Sequence, residues 1–151
     1  MKKLLFALAL LASPAAAQQK GDLGLGMMLG DPTSGSAKYF FHETHAVDFG
    51  IGWSADLVLH FDYVYHGWEL IPDPKRGKLA AYASIGPRFE TQKEFDFGIR
   101  TLLGLSYFPH LKRRVVEFFF ELGPVFRVEP APTRVRVDGS FGMRYYFRER
   151  K

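Results

Sequence analysis

The chain has 151 residues, which fits one domain, and it contains no cysteine. That absence excludes a disulfide scaffold, a thiol nucleophile, a cysteine-ligated zinc site and a lipoprotein anchor. The formal charge of +4 would suit a nucleic-acid partner, but the basic residues are scattered rather than clustered. Aromatic residues are abundant, with 15 Phe, 7 Tyr and 2 Trp, although the mean hydropathy is close to zero.

The N-terminus has the order of a secretory signal. Two lysines precede an uninterrupted apolar stretch, Leu4–Ala12, and Pro14 precedes three alanines. A basic start, a short apolar stretch and small residues before the cut are typical of a cleaved signal peptide. A transmembrane helix is the alternative, but it needs roughly 20 apolar residues. We therefore predict a signal peptide over residues 1–17, cleaved before Gln18, and export argues against a nucleic-acid partner.

Apolar and polar residues alternate through the rest of the chain. In residues 135–147, Val137 and Tyr145 share one face, whereas Asp138 and Arg144 share the other. A period of two is typical of a β-strand. Seven further segments alternate in the same way: 23–29, 36–42, 45–55, 57–68, 79–90, 95–107 and 115–126.

Turn-forming residues separate these segments, for example at 31–35, 72–74 and 130–132. No window has the pattern of a long amphipathic helix, and no linker divides the chain. The predicted fold is all-β: residues 18–151 form one domain, an eight-stranded antiparallel up-and-down barrel.

Two kinds of barrel share this pattern. In a soluble, lipocalin-like barrel the apolar face is the core, whereas in an outer-membrane barrel it meets lipid and the polar face lines the interior. The polar face here is rich in glycine, at positions 24, 26, 50, 52, 86, 98, 104, 123 and 142. A narrow lumen needs small side chains between large ones, whereas glycine weakens a strand that faces water. We therefore favour a transmembrane barrel in the bacterial outer membrane, with the soluble periplasmic barrel as the alternative.

The polar face also carries charges of both signs, which a narrow lumen has to pair. We predict that they form a network that closes the lumen to an open pore. Its members are Lys38, Asp48, Asp62, Arg88, Arg100, Glu117, Glu121 and Arg144. Aromatic residues near strand ends are expected at the membrane interfaces. The predicted interfacial residues are Tyr63, Tyr65, Trp68, Tyr107, Tyr145 and Phe147.

Seven short motifs carry a family resemblance. They are GMMLGDPTSGSAKY at 26–39, AVDFGIGWS at 46–54, HFDYVYH at 60–66, FGIR at 97–100, GLSY at 104–107, ELGPV at 121–125 and GMRYYF at 142–147. In this combination the chain resembles a family of small bacterial outer-membrane β-barrel proteins, the domain of unknown function 3996. The resemblance implies a small, eight-stranded barrel in the outer membrane, and it implies no particular activity.

Residues that suggest chemistry are few. His60 and Asp62 share a face, but a metal site needs at least three converging ligands, so we predict neither a metal nor a cofactor. A hydrolytic triad could combine these two residues with Ser84 or Ser106. That arrangement would make the protein a barrel enzyme acting on outer-membrane lipid, similar to a deacylase. The sequence contains no motif of such enzymes, and we expect no catalysis.

The connections between strands bear on function. With both termini in the periplasm, the outward connections lie near residues 30–35, 55–56, 91–94 and 129–133, and all are short, unlike the long outer loops of adhesive barrels. The longest connection, 69–78, would be periplasmic. We expect a monomer with a structural role or a lipid or ligand interaction. Its partners would be outer-membrane lipid and the outer-membrane assembly machinery. The insertion signal of outer-membrane proteins usually ends on a terminal aromatic residue, whereas here Arg148–Lys151 follow Phe147.

Overall fold

The structure is a computed structural model that describes residues 20–53, 56–91, 95–109, 116–129 and 134–147. It contains eight strands: β1 (Leu23–Asp31), β2 (Ser34–Phe40), β3 (His45–Trp53), β4 (Leu57–Gly67), β5 (Lys78–Thr91), β6 (Phe95–Phe108), β7 (Val116–Glu129) and β8 (Val135–Phe147). Each strand pairs antiparallel with its neighbours in sequence, and β1 pairs with β8 from Leu23 opposite Phe147 to Asp31 opposite Gly139. The predicted all-β, eight-stranded, closed antiparallel barrel is confirmed.

Two segments named in the sequence analysis lie outside the described residues. They are the predicted signal peptide, residues 1–17, and the tail after Phe147. Among the residues that are described, no helix is long and apolar enough to cross a membrane.

The two ends of the barrel differ in what they carry. The terminal end holds the beginning of β1, the end of β8 and the connections 41–44 and 68–77. The loop end holds the connection 32–33, the last residues of β3, β5 and β7, and the first residues of β4, β6 and β8. Strands β1 to β4 have 7 to 11 residues, whereas β5 to β8 have 13 or 14, so one side of the wall is taller.

The distribution of side chains between the two faces is the reverse of that in a water-soluble domain. Alternate residues of each strand point outward, and these are mostly large apolar side chains that stay exposed, such as Leu25, Phe61 and Phe120. The intervening residues point inward and include buried aspartate, glutamate, lysine and arginine side chains. Burial of charge is costly unless the charges are paired, so the inward face has to contain its own partners.

Strands β5 and β7 share a short motif at their centres, Ile85-Gly86-Pro87 and Leu122-Gly123-Pro124. Proline has no backbone N–H, so the carbonyl groups opposite, those of Phe61 and Thr101 in the register of the ladders, lose their strand donor. A Cβ atom on Gly86 would lie 1.9 Å from the Phe61 oxygen, and one on Gly123 would lie 2.0 Å from the Thr101 oxygen. Only glycine fits at these two positions, because the neighbouring carbonyl oxygen leaves no room for a Cβ atom.

Candidate functional site: the barrel interior

The structure places all eight residues of the predicted charge network in the interior, each at most 3% exposed. They come from seven different strands, β2 to β8, and therefore converge from nearly the whole circumference. Their ion pairs divide into one group toward the terminal end and a second group toward the loop end.

The group toward the terminal end is centred on Glu117. Its carboxylate accepts hydrogen bonds from Lys38 Nζ at 3.1 Å, Arg144 Nη1 at 3.2 Å and the Tyr146 hydroxyl at 2.6 Å. The Ser106 hydroxyl donates a fourth, short bond. A carboxylate with two cations and two hydroxyl donors is held in one position, and these protein groups compensate its negative charge.

Arg144 completes this group from β8. Its Nε donates to the Ser36 hydroxyl at 2.8 Å, and its Nη2 donates to Asp48 Oδ2 at 2.5 Å. The guanidinium plane also lies over the Phe119 ring, with the central carbon 3.7 Å from the ring centroid. Each of the three guanidinium nitrogens of this fully buried side chain therefore donates a hydrogen bond, and such pairing offsets the cost of burying the charge.

The group toward the loop end is centred on Arg100. Its Nε donates to Asp62 Oδ2 at 2.8 Å, and its terminal nitrogens lie 3.4 Å from both Glu121 Oε1 and Asp138 Oδ2. Glu121 also accepts hydrogen bonds from the hydroxyls of Ser140, at 3.1 Å, and Tyr82, at 2.8 Å. The Tyr82 ring lies 4.7 Å from Lys38 Nζ, so this tyrosine connects the two groups.

Ion pairs continue from Arg100 to the mouth at the loop end. Arg88 lies 3.2 Å from Asp138 and 2.7 Å from Glu90, and Arg136 donates to Glu90 at 2.6 Å and lies 3.5 Å from the exposed Asp31. Five carboxylates therefore face three arginines on this side: Asp31, Asp62, Glu90, Glu121 and Asp138 against Arg88, Arg100 and Arg136.

Several members of the network were not among the predicted site residues. They are Asp31, Ser36, Tyr82, Glu90, Ser106, Arg136, Asp138, Ser140 and Tyr146. All except Asp31 occupy the alternate positions of their strands that face inward. This alternation of inward and outward positions, or parity, could have added most of them to the predicted network. The serine and tyrosine hydroxyls were not predicted because the network was selected from charged side chains alone.

An aromatic cluster fills the interior at the terminal end. Its rings are Phe40, His66, Trp68, Phe108 and Tyr146, with neighbouring centroids 4.9 to 6.1 Å apart. The prediction that Trp68 is interfacial is wrong, since its side chain is 3% exposed and its Nε1 donates to the Glu43 carbonyl at 2.8 Å. Trp68 follows β4 with the inward parity of His66, and this parity determines its direction.

The other predicted interfacial residues do point outward. Tyr63, Tyr65, Tyr145 and Phe147 are each 43 to 55% exposed, and Tyr107 is half-buried because its hydroxyl donates to the Arg76 carbonyl. All five lie toward the terminal end. A second set of outward aromatics lies toward the loop end and was not predicted: Trp53, Phe89, Phe95, Phe97 and Phe126.

The inward glycines have a specific role, because four of them lie directly opposite a ring on the neighbouring strand. The register pairs are Gly24 with Tyr146, Gly50 with His60, Gly104 with Tyr82, and Gly142 with Phe119. A Cβ on any of these glycines would lie 2.0 to 2.6 Å from a ring atom. Each ring therefore lies flat over the gap that the glycine leaves, and the narrow lumen is filled by large and small residues side by side.

The residues considered for chemistry are inside but are not assembled into a triad. Asp62 is engaged by Arg100, and Ser106 donates to Glu117. Neither ring nitrogen of His60 nor the Ser84 hydroxyl has a hydrogen-bond partner among the described residues. A base that is oriented toward a nucleophile is the geometric requirement for acyl transfer. In the part of the chain that the structure describes, no three His, Asp or Glu side chains are placed to hold a metal ion.

The comparisons with known proteins agree with the fold. No protein-family model matches the sequence, and a search of curated proteins finds no match. Among solved structures, the N-terminal β-barrel domain of Pseudomonas aeruginosa OprF matches with a TM-score of 0.61 and 16% sequence identity, covering 86% of this chain and all of that one. At that level of identity the likeness concerns the fold: the chain forms an eight-stranded barrel of the outer-membrane type.

Proposed function

We propose that the protein is a small, monomeric outer-membrane β-barrel whose eight strands cross the bilayer and whose role is structural or a lipid interaction. The observation that carries the proposal is the inverted distribution of its side chains. Large apolar residues are exposed around the outer wall, whereas the charged residues are buried inside. This distribution is stable only where the outer wall is surrounded by hydrocarbon. It also disfavours the soluble lipocalin-like alternative, whose interior would be apolar.

We further propose that the lumen is closed rather than an open pore. The ion pairs from Asp31 to Lys38 and the aromatic cluster at the terminal end together occupy the interior along its length. Removing one ion from such a network leaves its partner buried without compensation, which favours the closed arrangement over transient opening. The resemblance to small outer-membrane barrels of unknown function is consistent with such a protein, and we propose membership of that family on the motifs given above.

Fractionation and electrophoresis test the proposal. We expect the protein to sediment with outer membranes and to need detergent for extraction. Its gel mobility should change on heating, because a closed barrel resists dodecyl sulfate until it is boiled. In planar bilayers the purified protein should give no sustained channel conductance. Recovery in the soluble periplasm would overturn the membrane assignment, whereas stable channels would overturn only the closed lumen.

The proposed role includes no catalysis, and export and insertion would depend on the predicted signal peptide and the assembly machinery. The support is the engagement of Asp62 and Ser106 by other partners. Phospholipid or lipopolysaccharide incubated with the folded protein should keep its acyl chains. Release of fatty acid that is lost in His60→Ala would establish the enzyme instead.

The two tryptophans provide an optical test of the arrangement in lipid. Trp53 is 66% exposed on the outer wall, whereas Trp68 is 3% exposed inside. In vesicles with brominated acyl chains, the Trp68→Phe variant, which retains Trp53, should lose much of its fluorescence. The Trp53→Phe variant, which retains Trp68, should lose little. Equal quenching of the two variants would contradict the interior position of Trp68, and no quenching in either would contradict membrane insertion.

A further inference from the structure

An apolar groove of about 690 Å³ crosses the outer wall at the middle of strands β4 to β8. Its floor is made of short side chains, those of Ala83, Thr101 and Pro124, and its sides include Tyr63, Leu103 and Leu122. Leu103 is 72% exposed, and its register partner on β5 is the small Ala83.

The groove arises from the two Gly-Pro motifs of β5 and β7. At each motif the ladder to the preceding strand is interrupted, and the backbone of Gly86 or Gly123 approaches the opposite carbonyl closely. Such an interruption bends a strand locally. Leu122 leans away from the groove toward Gly139, where a Cβ would lie only 2.8 Å from its Cδ1. The depression is thus built into the backbone and does not depend on a side-chain rotamer alone.

The groove has different surroundings at its two ends. Toward the terminal end the groove is lined by Tyr63 and Tyr65 of β4, and this end carries polar groups, since the Tyr63 hydroxyl lies 2.5 Å from His45 Nδ1. Toward the loop end it is lined by Val137 of β8, an apolar and exposed residue. An elongated apolar ligand with a polar head would therefore place its head toward the terminal end.

We propose that the groove holds one acyl chain of a phospholipid whose headgroup lies at the level of His45 and Tyr63. This inference rests on the proposed membrane location. At roughly 30 Å³ for each methylene group, about the volume of a water molecule in the liquid, a sixteen-carbon chain needs roughly 480 Å³. The groove of about 690 Å³ can hold such a chain. A second copy of the barrel would present a convex wall, which fits a concave, chain-sized groove poorly. In a bilayer, an acyl chain prefers one part of the barrel wall over another through van der Waals packing. A groove offers the chain more contacts than a convex wall does.

Photolabelling tests the proposal. The native protein is reconstituted in phosphatidylethanolamine and phosphatidylglycerol vesicles that contain a phospholipid with a diazirine in its acyl chain, and labelled residues are mapped by mass spectrometry. Residues 83, 101 and 124 should carry about threefold more label than the opposite wall around Ala37, an outward residue of β2, since packing alone makes the difference. Ala83→Phe should reduce the groove label to the level of the opposite wall, and the matched Ala37→Phe should leave it unchanged. Heat-modifiable mobility verifies that both variants are folded.

The outcomes separate this inference from the proposed function. Equal labelling of the two walls, or no effect of Ala83→Phe, overturns the groove but leaves the membrane barrel intact. Absence of label on both walls overturns both. Because the chain has no cysteine, Thr101→Cys introduces a single thiol. Efficient disulfide-linked dimers at that position, without lipid label, would show that a second copy occupies the groove and would also overturn the proposal.

Discussion

Replacing Arg144 with methionine should reduce the free energy of unfolding by about 3–5 kcal/mol, the cost of leaving buried charges without a partner. The substitution keeps the volume of the side chain but removes the cation that lies between Glu117 and Asp48. Among the described residues, the Ser36 hydroxyl at 3.3 Å would then be the remaining hydrogen-bond donor to Asp48. The measurement is urea unfolding of the reconstituted barrel, followed by heat-modifiable mobility and fluorescence.

Two further variants make that result specific. Arg136→Met also removes ion pairs, those with Glu90 and Asp31, but its side chain is 30% exposed at the mouth and Glu90 keeps its pair with Arg88. Its loss should therefore cost less than about 1 kcal/mol. Adding Asp48→Asn to Arg144→Met should recover part of the loss, because it removes one uncompensated charge. If Arg136→Met and Arg144→Met were equally destabilised, the interior charges could not be the source of the effect.

Gly104→Ala should destabilise the barrel by about 2–4 kcal/mol, although it adds a single methyl group. The new Cβ would lie 2.2 Å from Tyr82 Cζ, so the ring has to move. Its hydroxyl would then lose the bond to Glu121. Overpacking costs roughly 1–3 kcal/mol and a hydrogen bond to a charged group about 1.5–3 kcal/mol, with partial relaxation reducing the sum.

A matched glycine makes the opposite prediction. Gly35 has its nearest contacts at 3.8 and 3.9 Å from an added Cβ, so Gly35→Ala should be neutral or stabilising by up to about 1 kcal/mol, as expected for alanine in a strand. In a Tyr82→Ala background, Gly104→Ala should cost less than about 0.5 kcal/mol, because the ring that it collides with is gone. A cost that persists in that background would mean that the backbone, not the ring, needs glycine.

Parity was sufficient to predict much of this protein from sequence. A period of two assigns each residue of a strand to one face, and the eight segments and the inward direction of residues such as Lys38 and Arg144 follow from it. The prediction for Trp68 was wrong because it followed residue type instead of parity. Residue type suggested an interface, but the position is two residues beyond His66 and therefore on the inward side.

What parity cannot provide is the register between strands. Lys38 and Glu117 are 79 residues apart in sequence, and their contact depends on how β1 and β8 close the sheet. The same holds for Gly104 and Tyr82, whose pairing depends on the alignment of β5 with β6. The small and large inward residues could therefore be recognised as two classes, but the assignment of each ring to its glycine required the three-dimensional structure.

The position of Arg144 has a consequence for assembly. It stands opposite Gly26 across the β1–β8 pairing that closes the sheet, and it contacts Ser36, Asp48 and Glu117 from three other strands. A slip of two residues between β1 and β8 would keep every apolar side chain on its correct face. It would nevertheless move this guanidinium away from both carboxylates and leave buried ions without a partner. We therefore expect the interior charges to select the correct register between β1 and β8, because hydrophobic patterning alone would also permit registers shifted by two residues.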